Sequence, residues 1–288
     1  MKRLTGLILL ASILPIAAID GPAVAGPAPT PVGTHGSESV GLGWKPDVRA
    51  ARRYARQRRG DVRFAVVDLG GRMHQMNGAR AAPMASLFKA VLLATYLSRP
   101  GVRSRSLRGS ERDLLGPMIR SSNNAAATRL RDMLGAGPIV AMTRRADMRD
   151  FSYHPIWGLS RTSSRDQARF FAKWDRFVPR RHRKYARSLL SGIVPRQRWG
   201  IANARLEGWK IFFKGGWGTG TGRVNHQTAF LERGRCRVAL SVMTEFSPGH
   251  NYGKQTQRGI AERLFEGIGR SQCGERTDEG DAIANPSP

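Results

Sequence analysis

The sequence predicts an α+β fold in which an antiparallel sheet, built from both ends of the chain and flanked by helices, receives an inserted all-helical lobe. Three observations carry this expectation. A strand–turn–strand pattern lies early, over residues 63–76; a helical stretch fills the middle of the chain; and after residue 209 the hydrophobic period changes to two.

Taken in order, the first 25 residues show Lys2 and Arg3, an apolar run from Leu7 to Ala18, and Ala23-Val24-Ala25, the charge, core and small-x-small order of a secretory signal peptide. Residues 26–45 are rich in Gly, Pro, Ser and Thr and read as a flexible linker. A single catalytic-sized domain is expected over 46–272, followed by a polar tail over 273–288. Within the domain, residues 46–59 form a basic amphipathic pattern. Arg63 to Leu69, the Gly70-Gly71 turn and Arg72 to Met76 then read as a hairpin. Leu87 to Leu97 is apolar almost all round, the mark of a helix buried on every side, and Lys89 is its one charge. Residues 112–175 read as largely helical, with Leu114, Met118, Leu130 and Leu134 on an apolar face and Gly135 as a stop. Residues 211–214, 227–231 and 237–244 are three strands, and residues 254–269 a last helix with Ile260, Leu264 and Ile268 on one stripe.

The charge is +27, and removal of Lys2, Arg3 and Asp20 with the signal leaves +26. Such a surface attracts polyanions, anionic cell-wall polymers among them, through Arg52/Arg53/Arg56/Arg58/Arg59 and Arg180/Arg181/Arg183/Lys184. No zinc-finger, RNP or helix-turn-helix signature accompanies the charge, so nucleic acid is not the expected partner. The only two cysteines, Cys236 and Cys273, fit either a disulfide or two buried thiols. The six histidines make no HExxH or HxxxH pair, so neither a metal nor another cofactor is expected. No later segment reaches the ~20 apolar residues that span a bilayer, and a secreted, extracytoplasmic monomer is expected.

The chemistry starts at Ser86-Leu87-Phe88-Lys89, where a hydroxyl and an amine three residues apart can meet on one helix face. An amine desolvated in such a helix loses basicity and can take a proton from the hydroxyl. Ser122-Asn123-Asn124 and Lys214-Gly215-Gly216 follow in that order. Taken singly, Ser122 and Asn124 also fit a helix N-cap, Gly215 and Gly216 a bulge, and Trp217 a core aromatic. In conjunction, SxxK, SxN and KxG resemble the signature of class A β-lactamases and penicillin-binding proteins, over residues 46–270.

The resemblance implies a β-lactamase/transpeptidase-like fold and an acyl-enzyme formed on Ser86, with Lys89 as its base. It implies that Ser122 relays a proton to the leaving nitrogen with help from Lys214. The backbone N–H groups of Ser86 and Trp217 would form an oxyanion hole. Asn124, Gly215, Gly216 and Arg223 would line the substrate, Arg223 pairing with its carboxylate. Lys214 is expected to face the groove, so that its removal leaves stability nearly unchanged. Three departures qualify the match: Asn123 stands where the family has Asp, Gly215 lacks the hydroxyl of KTG, and Asp147 to Asp166, where β-lactamases carry a deacylating glutamate, holds none. The function expected is therefore an exported serine hydrolase acting through acyl-Ser86 on β-lactam or peptidoglycan-type amide substrates, with slow deacylation. The alternative is a non-catalytic, cationic cell-wall-binding protein that keeps the fold.

Overall fold

A computed structural model of the protein describes residues 44–218, 220, 223–268 and 273. The expected signal segment, the linker up to residue 43 and the tail beyond 273 lie outside the described residues. Five strands form one antiparallel sheet. These are β1 (Asp61–Val67), β2 (Met73–Met76), β5 (Lys210–Gly218), β6 (Val224–Arg233) and β7 (Cys236–Glu245), in the order β2-β1-β7-β6-β5. The sheet thus joins both ends of the domain, because β1 pairs β7 in the register Phe64↔Val242. The remaining strands, β3 (Ala82–Pro83) and β4 (Arg161–Thr162), pair with each other.

Ten helices complete the described chain. The first six are α1 (Val48–Arg56), α2 (Phe88–Leu97), α3 (Pro100–Arg103), α4 (Gly109–Arg120), α5 (Asn124–Leu134) and α6 (Ala136–Arg145). They are followed by α7 (Ser164–Ala172), α8 (Trp174–Phe177), α9 (Arg180–Ser191) and α10 (His250–Leu264). Along β6 and β7 nearly every residue is buried, which requires a layer on each face of the sheet. Helix α7 covers one face, and α1 with α10, which pack on each other, cover the other. The lobe between β2 and β5 wraps α2, whose ten residues are all buried, inside α4, α5 and α6. An all-round apolar sequence can sit only in such a place.

The boundaries of the five expected strands and of the last helix shift by a few residues, because propensity marks the apolar centre of an element and not its ends. Two terminal residues are held more firmly than the sequence implied. Trp44, in the segment expected to be a linker, is buried against Phe265, and its indole N–H donates to the Glu266 carbonyl. Cys273, the first residue of the expected tail, is disulfide-bonded to Cys236 at the start of β7. The basic clusters are also partly committed to the fold: Arg58 lies 3.7 Å over the Tyr252 ring and donates to Thr256, and Arg183 donates to the Val178 carbonyl. No described helix is long and apolar enough to cross a membrane.

The disulfide closes a loop of 37 residues, for which the loss of chain entropy in the unfolded state amounts to about 4 kcal/mol. Cys273→Ser should lower the free energy of unfolding by up to that amount in urea titration, with the fold retained. An unchanged midpoint would show that the bond does not constrain the unfolded chain.

Candidate active site

The site lies in the crevice between the edge strand β5 and the helical lobe. Ser86 sits in a single 3₁₀ turn, Ala85–Leu87, that runs straight into α2. Its entry is pinned from three sides. The Met84 N–H donates to the Ser160 carbonyl at 2.7 Å, and β3 pairs with β4. His226, buried on β6, donates from Nε2 to the Pro83 carbonyl at 3.0 Å and accepts the Thr244 N–H on Nδ1 at 3.2 Å. Those partners fix the neutral tautomer, and burial pushes the ring's pKa down to about 4. Ala85, Ser122 and Arg223 all have φ between 45° and 59°, a left-handed backbone that costs a non-glycine residue about 1–2 kcal/mol. Strain of this kind concentrates where the surroundings over-determine the chain.

Lys89 is the centre of the site. It is fully buried, and its Nζ lies 2.8 Å from Ser86 Oγ, 2.8 Å from the Ser122 carbonyl, 3.1 Å from Ser122 Oγ and 2.7 Å from Asn124 Oδ1. Burial lowers its pKa to about 7. A neutral amine has two N–H donors and one lone pair. The Ser122 carbonyl and Asn124 Oδ1 can only accept, so they take both donors, and the lone pair is left for a hydroxyl. Ser86 is the nearer of the two hydroxyls. No carboxylate pairs with Lys89 among the described residues.

Lys214 approaches from the other side, its Nζ 3.1 Å from Ser122 Oγ and 2.8 Å from the Gly215 carbonyl. Ser122 Oγ therefore bridges two amines. Lys214 is also fully buried, against the expectation of a lysine at the groove surface. Burial, then the nearby Lys89, hold its pKa well below the ordinary lysine value. An edge strand need not mean an exposed side chain: β5 packs against the Ser86 turn and α9.

Of the two glycines after Lys214, the second is a steric necessity and the first is crowded. A Cβ on Gly216 would stand 2.9 Å from the Met84 carbonyl and 3.2 Å from the Ser86 N, so only glycine lets β5 close on the Ser86 turn. A Cβ on Gly215 would stand 3.1 Å from the Trp199 ring, which fills the space a threonine side chain would need. Asn123 caps α5 by accepting the Ala126 N–H at 2.8 Å, a task in which Asn and Asp are equivalent. Two of the three departures from the family pattern thus have local physical reasons.

The third lies in the loop 147–163. Asp166 is buried at its end and accepts the Arg149 and Asp150 N–H groups at 3.2 and 2.7 Å, while Asp150 takes an Arg165 fork. Burial raises the Asp166 pKa to about 6. These carboxylates hold the loop to itself and not to the site. What the loop presents to Lys89 is Trp157, whose ring centroid lies 4.8 Å from Nζ, stacked on Phe88 and anchored by an indole N–H to Thr128 Oγ1 at 3.1 Å.

Ser86, Ser122, Asn124, Trp157 and Trp217 line a groove of about 230 Å³ above the two lysines. The structure therefore brings together Ser86, Lys89, Ser122, Asn124, Lys214, Gly216 and Trp217. Gly215 faces Trp199, and Arg223 lies beyond Trp217, exposed at a neighbouring cavity. Sequence reasoning missed Trp157, Trp199 and His226. Each is an isolated residue in a loop or strand, and no periodic pattern singled it out.

Ser86 Oγ against the buried Lys89 amine, with Ser122 Oγ bridging Lys89 to Lys214 and a glycine-faced strand beside them, is an arrangement suited to serine hydrolase chemistry. The family comparison agrees: the model described as the beta-lactamase enzyme family matches residues 102–268, and the chain belongs to that family. The chain is similar in fold to a beta-lactamase from Sphaerobacter thermophilus, with a TM-score of 0.66 and 18% identity over 77% of this chain and 97% of that one. It is also similar to a beta-lactamase from Chitinophaga pinensis, with a TM-score of 0.66 and 14% identity over 76% and 97% of the two chains. A third similar structure is PBP-A, at a TM-score of 0.63 and 16% identity over 76% and 95%. No curated protein matches the chain in sequence.

Because Lys214 is buried, an alanine would leave a cavity and confuse folding with chemistry. Lys214→Met keeps the volume. Its stability should stay close to the wild type, since the desolvation cost of the buried amine disappears together with its hydrogen bonds to Ser122 and Gly215. Acylation of Ser86 should slow by about tenfold to a thousandfold, as loss of a proton-transfer partner does. Equal acylation rates would show that Lys214 only fills space.

Proposed function

We propose that the protein is an exported serine hydrolase that forms an acyl-Ser86 intermediate on β-lactam or peptidoglycan-type amide substrates and releases it slowly. The observation that carries this reading is the 2.8 Å contact between Ser86 Oγ and a Lys89 amine whose two donors are already taken. Ser86 Oγ attacks the substrate carbonyl and its proton passes to the Lys89 lone pair. The new oxyanion meets the backbone N–H groups of Ser86 and Trp217, each such donor being worth about 3–4 kcal/mol in the transition state. The C–N bond then breaks, and the departing nitrogen takes a proton from Ser122 Oγ, which is replenished through the amines of Lys89 and Lys214 that flank it. Asn124 and Arg223 hold the substrate on either side of the reacting carbonyl.

Slow release follows from Trp157. A hydrolytic water must be deprotonated beside the ester, and on the loop side of Lys89 stands an indole ring where a carboxylate would be needed. The retained acylation apparatus favours an enzyme over a non-catalytic wall-binding protein. The mature charge of +26 supports anionic wall polymers as the surface on which it works.

Incubation with a fluorescent penicillin should give a one-equivalent adduct by intact mass that is absent in Ser86→Ala. Nitrocefin should show a burst followed by a slow steady state. Trp157→Glu, which puts a carboxylate beside Lys89, should raise the deacylation rate by about tenfold or more. No adduct with any acyl donor favours the wall-binding alternative, and a fast, burst-free turnover would contradict slow release.

A further inference from the structure

The groove over Ser86 is small, but on the far side of Trp217 it adjoins a cavity of about 460 Å³ between the end of β5, the start of β6 and the turn before α10. Its size alone falls within the range of small-molecule sites. Trp217 is common to both spaces, so whatever occupies the groove can continue past that ring.

The walls include flat rings packed on one another. Trp217 and His250 lie with ring centroids 6.0 Å apart and 31° between their planes, and Trp199 packs edge-on against both, at 5.7 and 5.2 Å. His250 Nδ1 is hydrogen-bonded to Asn225 Oδ1, so these two polar groups satisfy each other. Partial burial, then the nearby Lys254, lower the His250 pKa, which favours the neutral ring. Val224 and Pro248 supply aliphatic surface, and the exposed Arg223 stands at the rim. The cavity therefore offers preorganised aromatic and aliphatic faces with a cation at the mouth, a pattern matched by a flat apolar group that bears a carboxylate.

Direction follows from the proposed roles. Asn124 and Trp157 stand at the acyl end of the groove, whereas Ser122 and Lys214 serve the departing atom, and the Lys214 amine lies 5.9 Å from the Trp217 ring centroid. We propose that the cavity beyond Trp217 is a leaving-group subsite that takes an aromatic or branched apolar side chain on the fragment released when Ser86 is acylated, with that fragment's carboxylate toward Arg223. This inference rests on Ser86 as the nucleophile. In the step concerned, the Ser86 Oγ–acyl bond forms and the bond from the acyl carbon to the departing nitrogen or oxygen breaks. The departing atom takes a proton and the fragment leaves as a free amine or alcohol carrying its side chain. The substrate class is thus an acyl donor ending in an aromatic or branched residue and not in a small one.

Two depsipeptide esters with one common acyl group, releasing either lactate or 3-phenyllactate, test this directly through the rate of Ser86 acylation. The wild type should react faster with the phenyllactate ester by about tenfold to a hundredfold, the discrimination an apolar pocket supplies. Gly249 lines the cavity, has an extended backbone at φ −173°, and a Cβ there meets nothing within 4 Å. Gly249→Trp should therefore plug the cavity, abolish the preference and leave the lactate ester's rate within about twofold of wild type. Pro248→Trp, at an exposed lining position, provides a second plug should the first fail to fold. Equal rates for the two esters in the wild type, or a preference that survives a folded plug, would overturn the subsite while leaving Ser86 acylation intact. Absence of acylation by either ester and by penicillin would instead overturn the nucleophile, and the subsite with it.

Discussion

Everything at this site depends on one amine without water. Lys89 is placed by α2, a helix that the apolar lobe encloses completely, and its Nζ finds two carbonyl-type acceptors and two hydroxyls at the open end of that enclosure. Burial makes the ammonium form unfavourable, and the two acceptors orient the neutral form. Without the lobe, Lys89 would be an ordinary charged lysine and Ser86 an ordinary hydroxyl. The helical insertion is therefore the element that converts a covered sheet into a serine hydrolase site.

The sheet contributes the opposite wall, and its constraint is distance. Gly216 allows β5 to approach the Ser86 turn so closely that no side chain fits between them, and His226 ties the same turn to β6 through the Pro83 carbonyl. The positive φ angles at Ala85 and Ser122 show the cost of that approach, offset by hydrogen bonds on both sides. Trp199 and Trp217 then set the shape of the groove, one occupying the space beside Gly215 and the other dividing the catalytic crevice from its larger neighbour.

Much of this was legible in the residues alone. The hairpin of β1 and β2, the fully buried α2 and the three period-two strands follow from hydrophobic spacing, and Ser86 with Lys89 follows from helical geometry. Depth and shape were not legible. Lys214 reads as a groove-surface lysine because composition carries no information on what covers an edge strand, yet it is fully buried. Gly215 reads as a lost hydroxyl, whereas the neighbouring space is filled by Trp199, sixteen residues earlier in the chain. Trp157 belongs to a loop without periodicity, so nothing in its spacing connects it to Lys89. Trp44 and Cys273 lie in polar or small-residue stretches and are held by long-range contacts that no local pattern announces.

The most direct test of the account is the protonation state of Lys89 itself. The chain contains eight lysines, few enough for ¹³Cε-labelled lysine to be followed residue by residue through a pH titration, with Lys89→Met to assign the signal. A Lys89 midpoint near 7 is expected, so that the amine is half neutral at that pH, largely neutral above it and increasingly unavailable as a base below it. A midpoint at the ordinary lysine value, about 10.4, would mean that Lys89 stays charged beside Ser86, and the proposed route of the serine proton would be wrong.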